Sequence, residues 1–360
     1  MTSSSNPFQN MRRPALRGGA LALLAAALFG LSTPLVQRFG QGLGAFSTAA
    51  LLYAGAAFVA LWMRQPVELE AKLQRSDLPR LLAMAGFGAV IGPVALAWGL
   101  QRTSGTSASL MLTLEALFTV VLAWRLYGES MDKRVASAML LLLAGGIALV
   151  AEQGLAGNTQ LLGLLAVLVA TAAWGLDNTL SRGVAERDPA QVVIVKSALG
   201  ASASAVLALL FGESLPPLTA ALALFTVGAI GYGLSLRFYL LAQRAFGAAR
   251  TGSVFAFAPF IGAMGAFAFG DRSMGWIMLI AGVLMLAGVA LHLMESHSHP
   301  HTHEVLEHEH AHSHDPKQAD AHHLHTHDVL PKGMHSHPHK HNPMQHAHPH
   351  VPDAHHGHAH

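Results

Sequence analysis

Residues 103–129 read TSGTSASLMLTLEALFTVVLAWRLYGE. Between Ala108 and Leu126 only Glu115 and Arg125 carry a charge. A helix needs about 20 predominantly apolar residues to cross the hydrocarbon core of a bilayer. This stretch therefore predicts a membrane-spanning helix, and it places a single carboxylate near the middle of that helix.

The chain on either side has the same apolar character up to about residue 294. Its 360 residues are 52% hydrophobic and 12% charged, whereas soluble proteins contain about 25% charged residues. Cysteine is absent, which excludes disulfides, Cys-type metal sites and thiol nucleophiles. The apolar runs predict an all-α integral membrane protein with ten transmembrane helices, at residues 16–37, 45–63, 80–100, 105–125, 134–151, 160–181, 190–211, 219–241, 250–269 and 274–294.

Lys and Arg are distributed unevenly between the two sides that these spans define. With the N-terminus inside, fourteen of them lie in inner segments, and only Arg38, Arg102 and Arg272 lie in outer loops. Positive residues favour the cytoplasmic side, and an even number of spans returns the chain to the side where it began. We therefore expect a protein of the inner (cytoplasmic) membrane with both termini in the cytoplasm. Because the basic residues lie between apolar runs, they do not indicate nucleic-acid binding.

The two halves of the apolar region match each other at an offset of about 143 residues. The matching segments are Phe29-Gly30-Leu31 with Trp174-Gly175-Leu176, Gln101-Arg102 with Gln243-Arg244, Gly128-Glu129 with Gly270-Asp271, Leu143-Ala144-Gly145 with Leu286-Ala287-Gly288, and Glu152 with Glu295. Five spans per half is an odd number, so the halves cross the membrane in opposite directions. Inverted repeats are typical of secondary transporters, whose substrate site lies near the midplane between the repeats.

This repeat defines the predicted domains. They are a cytoplasmic N-terminus at 1–15, five-helix repeats at 16–152 and 158–294, a linker at 153–157 and a histidine-rich tail at 295–360.

The fourth span and its counterpart resemble a known family. Residues 103–118 with Gly128-Glu129, repeated as residues 247–260 with Gly270-Asp271, are similar to the fourth-helix signature of the EamA family in the drug/metabolite transporter superfamily. The resemblance covers about residues 16–294, and it implies ten helices, cytoplasmic termini and efflux of small metabolites. The chain departs from the family pattern at Ala116, where proline is usual, and at Tyr53, where the second helix often has arginine.

Four charged side chains lie inside predicted spans, where a charge costs roughly 2.5 to 3.5 kcal/mol at a helix centre and so suggests function. They are Glu115, Asp177, Lys196 and Arg237. Glu115 is too central to reach the membrane surface, so we expect it to carry a proton or bind a cation; alternatively, it is a protonated residue that joins two helices. Lys196 and Arg237 lie nearer helix ends, from which long side chains can extend to the interface.

Three further residues complete the predicted transport cavity. Trp174 and Asn178 flank Asp177, and Trp174 lies deeper than a tryptophan that anchors the interface. Pro259 lies within the ninth span, where proline removes a helical hydrogen bond and leaves a carbonyl available. Pro93 also lies within a span, and a simple kink is the favoured interpretation there.

The tail differs completely from the membrane region. All 24 histidines lie at or after position 292, and a segment with almost no apolar residues is expected to be disordered without a ligand. Alternating imidazoles offer sites for Ni²⁺, Zn²⁺, Co²⁺ or Cu²⁺, although the same residues could make the tail respond to pH. The candidate metal ligands are His297, His299, His301, His303, His308, His310, His312, His314, His335, His337, His339, His341, His346, His348, His350, His356, His358 and His360.

These observations favour a secondary transporter that exports a small metabolite, with protons as the favoured coupling ion. A second hypothesis is a divalent-metal exporter whose tail collects Ni²⁺, Co²⁺ or Zn²⁺, and a third is a membrane-anchored metal buffer or sensor. We expect no enzyme, because no nucleophile–base pair, phosphate loop or metal triad stands out in the spans. The expected partners are the lipid bilayer, a small-molecule substrate and metal ions at the tail, and no cofactor is required.

Overall fold

The computed structural model describes residues 7–63, 72–127, 131, 133–184, 187–246, 248–293, 297–303, 306–312, 335–341 and 344–350. Its α-helices are α1 (Pro7–Phe39), α2 (Ala45–Trp62), α3 (Leu78–Met84), α4 (Gly92–Leu100), α5 (Gly105–Met111), α6 (Leu114–Tyr127), α7 (Lys133–Ala156), α8 (Asn158–Ser181), α9 (Pro189–Leu210), α10 (Leu218–Val227), α11 (Ser235–Phe246), α12 (Ala248–Phe255), α13 (Ala258–Ala268) and α14 (Trp276–Leu293). Short 3₁₀ turns cover Arg75–Asp77 and Arg182–Val184.

In the described residues between 7 and 293, the predicted all-α membrane architecture is confirmed. Nine stretches are long and apolar enough to cross a membrane, and a tenth is slightly shorter. We number them spans 1 to 10: Gly18–Phe39, Ala45–Trp62, Arg75–Leu100, Gly105–Leu126, Lys133–Ala156, Asn158–Ser181, Pro189–Leu210, Leu218–Gln243, Thr251–Ala268 and Trp276–His292. Every span overlaps its predicted counterpart because each apolar run is bounded by polar or charged residues.

The packing of the spans has the symmetry that an inverted repeat requires. Span 2 packs against span 7 and span 5 packs against span 10, so aligned elements of the two halves contact each other. Span 1 packs against spans 8 and 9, and span 6 packs correspondingly against spans 3 and 4. Phe29 and Trp174, which align in the repeat, contact each other edge to face with ring centroids 5.5 Å apart. Because aligned residues meet only near the symmetry axis, this pair marks the centre of the protein.

Helical interruptions occur at equivalent places in both halves. Spans 3 and 8 each contain a π-helical segment, at Ala85–Ile91 and Gly228–Leu234, and these begin 143 residues apart. Spans 4 and 9 are each broken into two helices, at residues 112–113 and 256–257. Pro259 is the second residue of the second helix of span 9, whereas span 4 breaks without a proline. Since the break recurs where Ala116 replaces the expected proline, proline is not its cause in the first half.

Two predicted boundaries differ from the structure. Residues 153–157 were expected to form a linker, but α7 continues to Ala156 and leaves only Gly157 before α8. Gly157 has a φ of 136°, a conformation that L side chains rarely adopt, so one glycine is sufficient to reverse the chain. At the N-terminus, α1 begins at Pro7, within the segment predicted to precede the first span.

The described parts of the tail contain paired strands, whereas the sequence predicts disorder. Strand β1 (His297–His303) pairs antiparallel with β4 (Met344–His350), and β2 (Leu306–His312) pairs antiparallel with β3 (His335–His341). The alternation of histidine with other residues explains the difference, because a β-strand repeats every two residues. His314, His356, His358 and His360 lie outside the described residues.

Candidate functional site

A cavity of about 60 Å³ lies on the symmetry axis, among spans 1, 2, 4, 6, 7, 8 and 9. Water occupies about 30 Å³ per molecule in the liquid, so this volume accommodates a few waters rather than a metabolite. The lining residues are Phe29, Tyr53, Ala56, Glu115, Trp174, Asp177, Asn178, Lys196, Ser197, Gly231, Tyr232, Ser235, Leu236, Tyr239 and Phe255.

The charged residues of the cavity form two hydrogen-bonded pairs. Lys196 Nζ donates to Asp177 Oδ2, and this ion pair is almost completely buried, with 4% and 6% of the two side chains exposed. Asn178 Nδ2 donates to Glu115 Oε1. The first pair is neutral overall, whereas the second combines an acid with an uncharged amide. If all three ionisable groups are charged, the cavity carries one excess negative charge, which belongs to Glu115.

The π-helical segment of span 3 supplies a backbone carbonyl that holds two aromatic residues. Tyr53 donates through its hydroxyl to the Gly88 carbonyl, and Trp174 Nε1 donates to the same oxygen at 2.9 Å. The N–H of Gly92 donates to the carbonyl of Phe87, five residues earlier. With the same spacing of five residues, the Gly88 carbonyl would accept from the backbone N–H of residue 93. That residue is Pro93, which has no N–H. Pro93 therefore does more than kink the helix, because it leaves this carbonyl free for the cavity.

Gly88 and its counterpart Gly231 also bring the two halves into close contact. A Cβ atom at Gly88 would overlap the Asp177 carboxylate, and one at Gly231 would overlap Cβ of Ser32. Ser32 and Asp177 are equivalent in the repeat alignment, since each lies three residues after the matched pair Phe29 and Trp174. The same backbone contact thus positions an acid in one half and a hydroxyl in the other.

Aromatic rings form most of the cavity wall. Phe29 contacts Trp174, Tyr232 and Phe255, with ring centroids 5.5 to 5.7 Å apart. Tyr239 packs against Phe255 at 5.0 Å. Rings at these separations and mostly edge-to-face angles stabilise one another. These rings therefore form an apolar and rigid environment around Glu115 and Asp177.

Acidic residues of the second half cap helices of the first half on the predicted outer side. Glu213 accepts hydrogen bonds from the backbone N–H groups of Phe46 and Ser47, at 3.1 and 2.7 Å, at the start of span 2. Asp271 accepts from both the N–H and the hydroxyl of Thr106 at 2.9 Å, at the start of span 4.

Burial and hydrogen bonding have opposite effects on the pKa of Asp271. Partial burial raises the pKa of Asp271, but hydrogen bonds from Ser273 and Thr106 outweigh that effect and leave the pKa below its ordinary value.

Five of the seven predicted transport residues meet in this cavity: Glu115, Trp174, Asp177, Asn178 and Lys196. The other two, Arg237 and Pro259, are not among its lining residues. Arg237 Nη1 instead donates to the Met63 carbonyl at 2.7 Å, which joins span 8 to the end of span 2.

Apart from Trp174, the aromatic lining residues were not predicted as part of the transport cavity. They include Phe29, Tyr53, Tyr232, Tyr239 and Phe255. Only Tyr53 carried a signal, because it departs from the family pattern.

Two five-span halves around a buried polar cavity define a membrane transporter with an inverted repeat. The model of the EamA-like transporter family matches residues 16–151 and 161–294. The chain therefore belongs to the EamA-like transporter family.

The chain is also similar to a further protein and to a solved structure. The chain is similar to an uncharacterized transporter of Methanothermobacter thermautotrophicus, with 27% identity over 297 residues that cover 78% of this chain and 86% of that protein. A crystal structure with 21% identity superposes with a TM-score of 0.57 over 76% of this chain and 95% of the other. At that identity the likeness supports the fold alone.

Proposed function

We propose that the protein exports a small organic solute in exchange for protons and that Glu115 binds the coupling proton. The observation that carries this proposal is the charge distribution in the cavity. Lys196 compensates Asp177, whereas the hydrogen-bond partner of Glu115 among the described residues is the neutral amide of Asn178. A buried charge without a countercharge is costly. A proton, or a positively charged group of the solute, would remove that cost.

The walls of the cavity suit an organic solute. Asp177 Oδ1 and Ser197 Oγ are buried and have no hydrogen-bond partner among the described residues, so each can contact a polar group of the solute. The aromatic rings around them can contact its apolar part. Because the cavity holds only a few waters in this conformation, binding requires the spans around it to move apart. Two inverted halves can open alternately to the two sides.

We also propose that the protein lies in the cytoplasmic membrane with both termini inside the cell. The excess of Lys and Arg in the inner segments supports this orientation. In that orientation Asp177 and Lys196 lie in the half of the membrane nearest the cytoplasm, from which an exporter takes its solute.

The test compares solutes in the medium of cells that produce the wild-type chain, Glu115→Gln or Glu152→Gln, by untargeted mass spectrometry. Glu152 is a matched control, because it is a carboxylate of span 5 that does not line the cavity. We expect the wild type and Glu152→Gln to enrich the same solutes and Glu115→Gln to lose at least 90% of that enrichment. A protonophore should abolish the wild-type enrichment. Equal export by all three chains would contradict the role of Glu115.

Export of a divalent metal is a second candidate, favoured by the register of the tail strands. Histidines lie opposite histidines in both pairs of strands, and neighbouring imidazoles are suitable ligands for Ni²⁺, Zn²⁺, Co²⁺ or Cu²⁺. The opposed pairs are His297 with His350, His299 with His348, His301 with His346, His308 with His339, His310 with His337 and His312 with His335. Against metal as cargo, no group of three His, Asp or Glu suitable for a metal ion occurs where the structure describes side chains.

Cell metal content distinguishes the candidates. Elemental mass spectrometry under Ni²⁺, Co²⁺ or Zn²⁺ load would compare the full chain, a chain that stops after Glu295, and Glu115→Gln. Metal that falls with the full chain but not with Glu115→Gln would establish metal export. Metal that rises with the full chain and not with the truncated one would indicate a membrane-anchored buffer or sensor. Unchanged metal content would favour the organic solute.

A further inference from the structure

A second and larger cavity lies on the predicted outer side, away from the central site. It is a groove of about 630 Å³ between the first turns of span 2, the outer half of span 3, span 6 and the end of span 7. Its lining residues are Leu43, Gly44, Ala45, Phe46, Val90, Ile91, Val94, Ala95, Trp98, Gln101, Arg102, Ala166, Leu207 and Glu213. This volume is in the range of small-molecule binding sites, roughly 300 to 1,000 Å³.

The groove is polar at one end and apolar along its depth. Gln101, Arg102 and Glu213 lie at the outer end, and Val90 lies at the deepest level. From Leu100 to Val90 the chain covers ten residues, or about 15 Å at 1.5 Å per residue. That depth is about half of the 30 Å hydrocarbon core of a bilayer. The groove therefore has the length and the polarity of one lipid molecule in one leaflet.

The wall on span 3 is partly exposed, at a depth where the outside of the protein faces the predicted bilayer. Ile91 and Trp98 are 41% and 37% exposed, although both line the groove. A molecule in the bilayer can therefore enter from the side, without passing through either aqueous phase. Lateral entry favours a lipid over a water-soluble ligand.

The two charged residues at the outer end differ in their free hydrogen-bonding capacity. Glu213 uses both carboxylate oxygens on the N-terminus of span 2 and on the Ser47 hydroxyl. Arg102 lies over the Trp98 ring at 3.7 Å and donates only through Nη1, to the Trp98 carbonyl at 2.8 Å. A guanidinium has five N–H donors, so most of those on Arg102 have no acceptor among the described residues. The polar end of the groove therefore offers a cation to a ligand.

We propose that this groove binds a phospholipid of the outer leaflet, with the phosphate on Arg102 and an acyl chain along Val94, Ile91 and Val90. Arginine suits this role because its planar donors match phosphate oxygens. The lipid would fill the space between the span 2–span 7 pair and the span 3–span 6 pair. It would thus stabilise the side of span 3 opposite the central cavity.

The test is native mass spectrometry of the purified full-length chain in detergent, titrated with phosphatidylglycerol. Arg102→Gln removes the phosphate ligand, and Arg38→Gln is its control, because Arg38 is an exposed outer arginine away from the groove. Val94→Phe fills the groove, and Val206→Phe is its control, because Val206 is 54% exposed and does not line it. We expect the wild type to retain one lipid.

Arg102→Gln and Val94→Phe should each raise the apparent Kd at least about tenfold, and neither control should change it. Glycerol phosphate at the same concentration should not displace the lipid. Equal effects of Arg38→Gln and Arg102→Gln would overturn the proposal, since general surface charge would then explain binding. Unchanged affinity of Val94→Phe, or displacement by glycerol phosphate, would also overturn it. Thermal unfolding of each variant confirms that it is folded.

Discussion

Spans 6 and 7 place Asp177 and Lys196 next to each other in the cavity. The offset of about 143 residues between the halves aligns these positions with Ser32 of span 1 and Tyr53 of span 2, which lie 145 and 143 residues earlier. The backbone around both pairs of residues has the same arrangement. In each half, a π-helical segment packs through a glycine against the opposite half. At these aligned positions, the duplicated scaffold therefore carries an ion pair in the second half and neutral hydrogen-bonding groups in the first. The repeat determines where side chains meet, while individual substitutions determine which chemistry they perform.

Removing the cation that the second half contributes to the cavity should destabilise the protein most. Lys196→Met leaves Asp177 buried without a countercharge, which we expect to lower the free energy of unfolding by about 3 to 5 kcal/mol. Tyr53→Phe, at the equivalent position, removes one neutral hydrogen bond to Gly88 and should cost about 1 kcal/mol. Chemical denaturation of the purified protein in detergent measures both values.

The double variant Asp177→Asn/Lys196→Met is the control for this comparison. It removes both charges, so it should recover most of the stability that Lys196→Met loses. Similar losses for Lys196→Met and Tyr53→Phe would show that the two equivalent positions contribute equally, contrary to the charge argument.

The helix breaks provide the next comparison. Span 4 breaks near Leu112 although Ala116 replaces the proline, and the N–H of Ala116 makes only a long bond of 3.3 Å to the Thr113 carbonyl. Ala116→Pro should therefore cost less than about 1 kcal/mol, because proline is tolerated in the first turn of a helix. Val120→Pro, one turn later in α6, should cost about 3 kcal/mol or more. Thermal unfolding compares the two, and equal losses would mean that α6 does not begin at Leu114.

The glycine contacts should show smaller and more equal effects. Gly88→Ala and Gly231→Ala each force a Cβ atom into the opposite half, and overpacking of this kind costs typically 1 to 3 kcal/mol. Gly86→Ala is a matched control in the same π-helical segment, since no atom lies within 4 Å of the added Cβ. We expect a lower unfolding midpoint for the first two variants only. If Gly86→Ala lowers the unfolding midpoint equally, the loss of stability comes from replacing a glycine in the π-helical segment rather than from the contact with the opposite half.

The sequence was sufficient to predict the features that depend on local composition. Ten apolar runs predict ten spans, and charges as expensive as Glu115, Asp177 and Lys196 are conspicuous inside them. Tyr232 and Tyr239 gave no such signal, because an aromatic residue in an apolar helix is equally common in a core, at a lipid surface and in a cavity. The π-helical segments were also unpredicted. Their register depends on contacts such as those of Gly88 with Tyr53 and Trp174, which are distant in sequence.

The smallest expected effect concerns the cap that Asp271 of the second half provides for span 4 of the first. Asp271→Ala removes the acceptor for Thr106 and should cost about 1 kcal/mol at pH 7. Because the pKa of Asp271 is lowered in the folded protein, its ionised form stabilises the fold above the unfolded-state value of about 3.9. This contribution is lost as the pH falls through the lowered pKa. The difference in unfolding midpoint between wild type and Asp271→Ala should therefore shrink below about pH 4. A difference that stays constant with pH would mean that Asp271 stabilises the protein by packing alone.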